Sequence, residues 1–167
     1  MADVYIGIDN GVSGSIGIIG SNFYKMYHTP IIKEQSYTKA KNNISRINRK
    51  ELIDILKPYQ ADSVLVILER PLVNPTRFKA SISAVRALEA TLNIIEDLNY
   101  PHQYIDSKEW QTRKNGLLPH DMKGSPELKK ASKDIAMRLF PNCIEIIQKQ
   151  KDGDGLLIAE YCKRQQF

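Results

Sequence analysis

Two short apolar segments, each ending in a carboxylate, place the strongest limit on how this chain can fold. Strands are predicted over residues 3–9 and 63–69; the first ends at Asp9 and the second at Glu69. Continuous apolar runs of this length indicate strands that are buried on both faces, which requires helices on both sides of a sheet. A lone carboxylate at the end of such a strand is costly to desolvate, so each of the two needs a counter-charge.

A third acidic group follows near the end of the chain, where Asp152 and Asp154 precede the apolar residues 156–159. If the strands that end at Asp9 and Glu69 are parallel neighbours, their carboxylates meet at one edge of the sheet. Asp154 lies near the start of the predicted last helix, where the helix dipole favours negative charge. The shared counter-charge is predicted to be Mg²⁺, a hard cation that prefers oxygen ligands.

Each carboxylate also has a simpler explanation. Asp152 or Asp154 alone is typical of a helix N-cap. Asp9 alone fits a turn before Asn-Gly, and Glu69 alone fits an ion pair with Arg70 at the end of a strand. Taken together the acidic residues favour a metal site.

The remaining pattern predicts one α/β domain over residues 1–167. Its mixed five-stranded sheet combines a three-stranded antiparallel meander with parallel strands, flanked by helices on both faces. Strands are predicted at 3–9, 15–19, 23–28, 63–69 and 102–105, and helices at 49–59, 78–98, 108–111, 126–140 and 152–164. Asn48 and Ser107 are the predicted caps of the first and third helices. Residues 31–47 are polar and basic with little periodicity, which predicts a mobile loop.

The composition narrows the class of partner and compartment. The net charge of +5 and the pI of about 9.1 fit a polyanionic partner. No apolar run reaches the length of a membrane span, and no secretory signal is evident, so a cytoplasmic protein is predicted. Cys143 and Cys162 lack metal-ligand spacing and are expected to be reduced thiols. His28, His102 and His120 are scattered and are predicted to be non-catalytic.

Several segments resemble the RuvC-like Holliday junction resolvases of the ribonuclease H-like superfamily, including phage-encoded members. Residues 6–14 (Ile-Gly-Ile-Asp-Asn-Gly-Val-Ser-Gly) resemble the first motif of the family and residues 68–71 (Leu-Glu-Arg-Pro) the second. Residues 107–111, 129–132 and 139–141 resemble the segments that follow, and residues 152–161 resemble the final acidic helix. The motifs are short, but they occur in the family's order over nearly the whole chain.

The resemblance implies hydrolysis of phosphodiesters in branched DNA by two Mg²⁺ ions, or by Mn²⁺, leaving 5′-phosphate ends. Asp9 would bridge both metals, Glu69 would hold one, and Asp154, with or without Asp152, would hold the other. Symmetric cutting of two strands implies a homodimer, acting in the cytoplasm, or in the host cytoplasm for a phage-encoded protein. Family members carry an acidic residue or His three positions before the last Asp, where this chain has Lys151. The fourth ligand therefore stays open.

Basic residues near these motifs, together with one phenylalanine, are the predicted DNA contacts. They comprise Arg77, Phe78, Lys79, Lys108, Arg113, Lys114, Lys129 and Lys130. Phe78 is a candidate wedge at the junction centre, with a contact in the core or in a dimer as the alternative. An ordinary solvated surface is the alternative for each lysine.

Three other functions fit parts of the pattern. A ribonuclease acting on RNA–DNA hybrids would carry similar carboxylates. A non-catalytic protein that binds branched DNA would fit a metal site weakened at Lys151. A sugar-kinase or actin-like ATPase shares the Asp-x-Gly turn, but it needs two such domains, and 167 residues are too few.

Overall fold

The computed structural model describes residues 2–60, 63–122, 124–150 and 152–167. Lys151, which bears on the choice of a fourth ligand, lies outside these residues. The strands of the described part are β1 (Val4–Ile8), β2 (Ser15–Ile19), β3 (Tyr24–His28), β4 (Ile31–Gln35), β5 (Asn43–Ile47), β6 (Val64–Glu69) and β7 (His102–Ile105). The α-helices are α1 (Arg49–Leu56), α2 (Phe78–Asp97), α3 (Ser107–Gln111), α4 (Ser125–Leu139), α5 (Ile144–Gln150) and α6 (Asp154–Gln165).

Five strands form one mixed sheet in the order β3-β2-β1-β6-β7. The strands β1, β2 and β3 pair in antiparallel fashion, whereas β1, β6 and β7 pair in parallel. Ile8 lies opposite Leu68 in the parallel register, so the next residues, Asp9 and Glu69, leave the sheet side by side. The predicted mixed sheet, with its meander and parallel strands, is confirmed.

Helices cover both faces of this sheet, because alternate strand residues point to opposite sides. On one face Ile6, Val66 and Leu68 pack with residues of α1 and α2. On the other face Tyr5 and Ile67 pack with residues of α3, α4, α5 and α6. The prediction that the strands leading to Asp9 and Glu69, now β1 and β6, are buried on both faces is therefore confirmed.

Glycines let α6 lie directly on β1 and β2. A Cβ atom at Gly7 would be 2.3 Å from the Gly155 carbonyl oxygen, and one at Gly17 would be 2.3 Å from the Leu156 backbone nitrogen. The Ser15 hydroxyl accepts a hydrogen bond from the Gly155 N–H at 3.0 Å. This contact carries the N-terminus of α6, where Asp154 lies, to the sheet edge at which β1 ends.

The structure corrects the predicted mobile loop over residues 31–47. This segment forms an antiparallel hairpin of β4 and β5, with Ile31 opposite Ile47 and Gln35 opposite Asn43. Most of its side chains are exposed, so neither strand has the apolar alternation by which a half-buried strand is recognised.

Other differences concern helix ends. The first helix is α-helical only to Leu56 and continues as a 3₁₀ turn over Lys57–Tyr59, and α5 was not predicted. Asp106, not Ser107, is the N-cap of α3, and the last helix begins at Asp154 rather than at Asp152. The cap at Asn48 is confirmed, because its side chain accepts a hydrogen bond from the Glu51 N–H.

Two further observations concern the cysteines and the length of the helices in the described residues. Cys143 and Cys162 are buried free thiols. None of the described helices combines the length and the apolar character that a membrane span requires.

Candidate metal centre

Three carboxylates converge where β1 ends and α6 begins. Asp9, Asp152 and Asp154 each offer an oxygen atom, and these atoms all lie within 4.8 Å of one another. Asp9 follows the last residue of β1. Asp152 lies two residues before α6, and Asp154 is the first residue of α6. Residues more than 140 positions apart in the chain thus form one acidic cluster, as the sequence predicted.

Glu69 joins this cluster from the neighbouring strand. Its carboxyl group interacts with that of Asp9, whose pKa it raises, and its Oε1 accepts a hydrogen bond from the Trp110 indole N–H at 3.1 Å. Trp110 is fully buried, so it fixes one side of the Glu69 carboxylate. The expected alternative for Glu69, an ion pair with Arg70, is wrong, because Arg70 pairs with Asp106 at 2.9 Å.

A serine of α4 supports the other side of the cluster. The Ser132 hydroxyl donates a hydrogen bond to Asp154 Oδ1 and accepts one from the Gly153 N–H at 3.2 Å. Asp152 is buried, and its Oδ1 accepts a long hydrogen bond, 3.5 Å, from the Asp154 N–H. Asp152 therefore has some capping character, and one of its oxygens also lies within 4.8 Å of oxygens of Asp9 and Asp154.

Burial raises the pKa of all four carboxyl groups, and repulsion from neighbouring carboxylates raises the pKa of Asp9, Glu69 and Asp154 further. Burial is the largest cause at each one. The pKa of Asp9 lies well above its usual value, with the charges of Glu69, Asp154 and Asp152 adding to the effect. The pKa of Asp154 rises to about 7. Together the groups resist ionisation until a cation balances them.

The donor set fits a hard divalent cation. Among the described residues, no lysine or arginine forms an ion pair with any of the four carboxylates. The side-chain oxygen of Asn10, next to Asp9, is buried and has no hydrogen-bond partner among the described residues, while its Nδ2 donates to the Ala84 carbonyl at 3.1 Å. Carboxylate and amide oxygens are ligands that Mg²⁺ and Mn²⁺ accept.

A cleft opens beside the cluster between the ends of β1 and β6, α2 and α3. Its volume is about 350 Å³, and its lining includes Asn10, Glu69, Arg77, Ser107 and Gln111. The cleft brings two basic side chains, Arg70 and Arg77, beside the acidic edge.

All eight side chains predicted to contact DNA are exposed: Arg77, Phe78, Lys79, Lys108, Arg113, Lys114, Lys129 and Lys130. The structure brings two of them to the site. Arg77 lines the cleft that Glu69 also lines. Lys129 lies near Asp152 and Asp154, and its charge partly offsets the rise in their pKa. The others are exposed without such a contact, and Arg113 lies near Tyr161 of α6.

Phe78 begins an exposed apolar surface. It is 68% exposed, so the alternative of a core contact is wrong. Leu72, Val73, Ile82 and Val85 are exposed as well, and together with Phe78 we call them the α2 patch. Phe78, Ile82 and Val85 follow each other at helical spacing on one face of α2.

Sequence reasoning missed several residues at this site. Trp110, Ser132 and Asn10 lie in segments that resemble the family, but those segments do not reveal the partners of these side chains, which lie more than twenty positions away. His28 was set aside as scattered, yet it lies near Asp152 and lowers its pKa. The Gln150 Oε1 forms a hydrogen bond with His28 Nδ1. The Gln150 Nε2 donates to the carbonyl oxygens of Ser13 and Gly14, in the turn after Asp9, at 2.8 and 2.7 Å.

Comparisons with known proteins identify the fold. No family model matches the sequence, and no curated protein matches it. The structure is similar to that of T. thermophilus RuvC in complex with a Holliday junction substrate, with 17% identity, a TM-score of 0.57, and coverage of 96% of this chain and 92% of that chain. A further Thermus thermophilus RuvC structure gives 15% identity, a TM-score of 0.54, and coverage of 98% and 96%. The chain therefore has a RuvC-like, ribonuclease H-like fold.

Without divalent metal, the free energy of unfolding is expected to fall as the pH rises from about 4 to about 7. In the folded protein Asp154 keeps its proton up to a pKa of about 7, whereas in the unfolded chain it loses the proton near its ordinary pKa of 3.8. The folded state thus binds more protons in this window, and its advantage is lost as the pH increases. Asp154→Asn removes this titrating group. The free energy of unfolding of the wild type should therefore fall relative to that of the variant as the pH rises from about 4 to about 7.

Thermal unfolding in EDTA at several pH values measures this effect. Asp54→Asn, which alters an exposed carboxylate on α1, is the matched control and should leave the pH dependence unchanged. Mg²⁺ at pH 7.5 should raise the melting temperature of the wild type and change the fluorescence of Trp110, the only tryptophan in the chain. A wild-type pH profile that runs parallel to that of Asp154→Asn would contradict the assignment.

Proposed function

We propose that this protein is a metal-dependent endonuclease that cuts four-way junctions or other branched DNA and leaves 5′-phosphate ends. One observation carries the proposal: Asp9, Asp152 and Asp154 converge beside Glu69 at the sheet edge of a RuvC-like fold. The likeness to a RuvC protein that was solved with a Holliday junction substrate supports the choice of substrate. The net charge of +5 supports a polyanionic partner.

Asp9, Glu69, Asp152 and Asp154 would hold the metal, as two Mg²⁺ or Mn²⁺ ions per site. Bound ions would polarise the scissile phosphate and lower the pKa of the attacking water. The protein groups around them position the ligands: Trp110 orients Glu69, and Ser132 orients Asp154. This site needs no protein nucleophile.

Basic side chains beside the cluster would hold the DNA backbone. Arg77 lines the cleft next to Glu69, and Lys129 lies near Asp152 and Asp154. Both side chains are exposed, so they can reach phosphates of a strand bound beside the carboxylates. Such contacts position the substrate without reading its sequence.

The active unit is proposed to be a homodimer, because paired cuts on opposed strands need two sites. The α2 patch supports this proposal. It includes an apolar hollow of about 280 Å³, lined in part by Val73, Phe78, Ile82 and Val85. A contiguous apolar surface next to a functional site is typical of an interaction surface.

Replacing two residues of the α2 patch, Ile82→Glu with Val85→Glu, is expected to yield a folded monomer. Two buried negative charges at an interface are not compensated, so the dimer dissociates. Sedimentation velocity measures the mass, and the spacing of nicks on the two strands of a junction measures paired cutting. Asn93→Glu, an exposed position later on the same helix, is the control and should remain dimeric. A wild-type protein that sediments as a monomer when bound to a junction would contradict the proposal.

The choice of substrate is tested with a matched panel. A synthetic four-way junction, a linear duplex of the same arm sequence, and an RNA–DNA hybrid are incubated with the protein and Mg²⁺. Cleavage of the junction at least about 100-fold faster than of the other two is the expected result, a difference of about 3 kcal/mol in transition-state binding. Preferential cutting of the hybrid would instead identify a ribonuclease H activity.

A further inference from the structure

The hairpin of β4 and β5 is an element that the five-stranded sheet does not need. Its two strands form a separate sheet, which leaves the main sheet directly after β3 and returns directly before α1. The Asn48 N–H donates to the Pro30 carbonyl at 2.8 Å and closes the base of the hairpin. The base lies at the functional edge, because the Thr29 N–H donates to the Gly14 carbonyl in the turn that follows Asp9.

The tip of the hairpin is ordered by its own hydrogen bonds. The Ser36 N–H donates to the Asn42 carbonyl at 2.7 Å, and the Lys41 N–H donates to the Thr38 carbonyl at 3.0 Å. The Ser36 hydroxyl accepts a further hydrogen bond from the Thr38 N–H at 3.2 Å. An isolated hairpin is only marginally stable in water, so the contact of β5 with α2 contributes to its stability.

Tyr37 stands at this tip as an exposed aromatic residue. It is 79% exposed, and the guanidinium of Arg86, on α2, lies 5.8 Å from the centroid of its ring. The cation–π contact orients one side of the ring and leaves most of its surface in water. An aromatic side chain held this way costs little conformational entropy when it binds a partner.

The charge around Tyr37 favours a polyanion. Residues 31–47 contain four basic side chains and one acidic side chain, a net charge of +3. The acidic residue, Glu34, is already paired with Arg46 at 2.6 Å. Lys39 and Lys41, which flank the tip, are exposed.

A groove lies between the hairpin and α2. Its volume is about 320 Å³, and its lining includes Val12 from the turn after Asp9, Arg46 from β5, and Arg86 and Glu89 from α2. The metal-site cleft is lined by Asn10 of the same turn and by Ala84 of the same helix. Because the groove and the cleft share this turn and this helix, one nucleic-acid strand can contact both the carboxylate site and the hairpin.

We propose that the hairpin is a second DNA-contacting element, in which Tyr37 stacks on an unpaired base at the branch point. In this arrangement Arg86, Lys39 and Lys41 contact phosphates of the strand that leaves the metal site. Aromatic residues with neighbouring cations are the usual platform for unstacked bases. The inference rests on the proposed function, because it takes branched DNA as the substrate.

Binding in EDTA tests the hairpin separately from catalysis. Fluorescence anisotropy measures the affinity for a four-way junction and for a duplex, with the wild type, Tyr37→Ala, Tyr37→Phe, and Lys39→Ala with Lys41→Ala. Tyr37→Ala is expected to weaken junction binding about tenfold, while Tyr37→Phe binds like the wild type because stacking needs only the ring. The double lysine variant should reduce the dependence of log K on log salt by about two. Lys57→Ala is the control, because Lys57 is an exposed lysine that directly follows α1 and lies outside the hairpin.

The position of stacking is read with 2-aminopurine beside the branch point. Its fluorescence should be quenched by the wild type and by Tyr37→Phe, but not by saturating Tyr37→Ala. Equal junction affinity and equal quenching with Tyr37→Ala would overturn the hairpin inference and leave the proposed nuclease intact. A wild-type protein that neither binds nor cuts the junction would overturn the proposed function, and the hairpin inference with it.

Discussion

Asp9→Asn is expected to lower the rate of junction cleavage by at least about 10³-fold, a loss of about 4 kcal/mol of transition-state stabilisation. A carboxylate oxygen of Asp9 lies within 4.8 Å of oxygens of Asp152 and Asp154, and the nearby charge of Glu69 raises the pKa of Asp9. The amide keeps the shape of the side chain but removes the charge that holds a cation. Junction binding should stay within about threefold of the wild type or become tighter, because a negative charge near the phosphates is lost.

Single-turnover cleavage and junction affinity are measured on the same preparations. Asp106→Asn is a matched control, because it makes the same change at a carboxylate outside the cluster. Asp106 pairs with Arg70 and caps α3, and asparagine is an equally good N-cap. This control should keep its activity within a few-fold. Asp9→Asn protein that cuts at close to the wild-type rate would refute the site assignment.

For the other carboxylates, the expected loss of cleavage on substitution depends on whether the side chain holds a metal ion. Glu69→Gln and Asp154→Asn are expected to abolish cleavage as Asp9→Asn does. Asp152→Asn decides the question left open by Lys151, since Asp152 lies in the cluster two positions before Asp154. A cleavage rate lowered by at least about 100-fold, which corresponds to about 3 kcal/mol of transition-state stabilisation, would identify Asp152 as a ligand. Wild-type activity in Asp152→Asn would leave Asp154 to serve without it.

Gly17→Ala is expected to have the largest effect on stability, a loss of about 3 kcal/mol in the free energy of unfolding. The added methyl group would lie 2.3 to 2.4 Å from backbone atoms of Gly155 and Leu156. No side chain can move aside to make room, so α6 has to shift away from the sheet. The shift also carries Asp154 away from Asp9, so the folded variant should gain less thermal stability from Mg²⁺ than the wild type does.

Gly11→Ala separates this steric clash from backbone strain. Gly11 has a φ of +144°, yet a Cβ atom there would have no heavy atom within 4 Å. Strain alone should cost about 1 kcal/mol. Urea unfolding of both variants measures the two costs. A Gly17→Ala protein as stable as Gly11→Ala would show that α6 is not in tight contact with the sheet.

The sequence was sufficient for the parts of the fold that depend on local pattern. The apolar strands ending at Asp9 and Glu69 predicted a sheet buried on both faces, and the parallel pairing of β1 with β6 brought the two carboxylates together. The long α2 helix followed from its apolar spacing. Its start nevertheless leaves Phe78 in solvent, because helical periodicity cannot distinguish a core face from an exposed interaction face.

Tertiary contacts account for what the sequence did not reveal. The β4–β5 hairpin has largely exposed strands, so it lacks the hydrophobic alternation that predicts a strand. The hydrogen bonds from Trp110 to Glu69 and from Ser132 to Asp154 join distant segments, and the local sequence around each donor does not indicate its partner. The role of Gly17 becomes visible only when α6 lies on the sheet.

Cleavage of a synthetic four-way junction by the wild-type protein, followed across a Mg²⁺ titration, tests the central claim most directly. The account predicts no product in EDTA, and paired nicks with 5′-phosphate ends on opposed strands once Mg²⁺ is present. Tight junction binding with no cleavage at any Mg²⁺ or Mn²⁺ concentration would contradict it, and would identify a branched-DNA-binding protein whose carboxylates serve no catalysis.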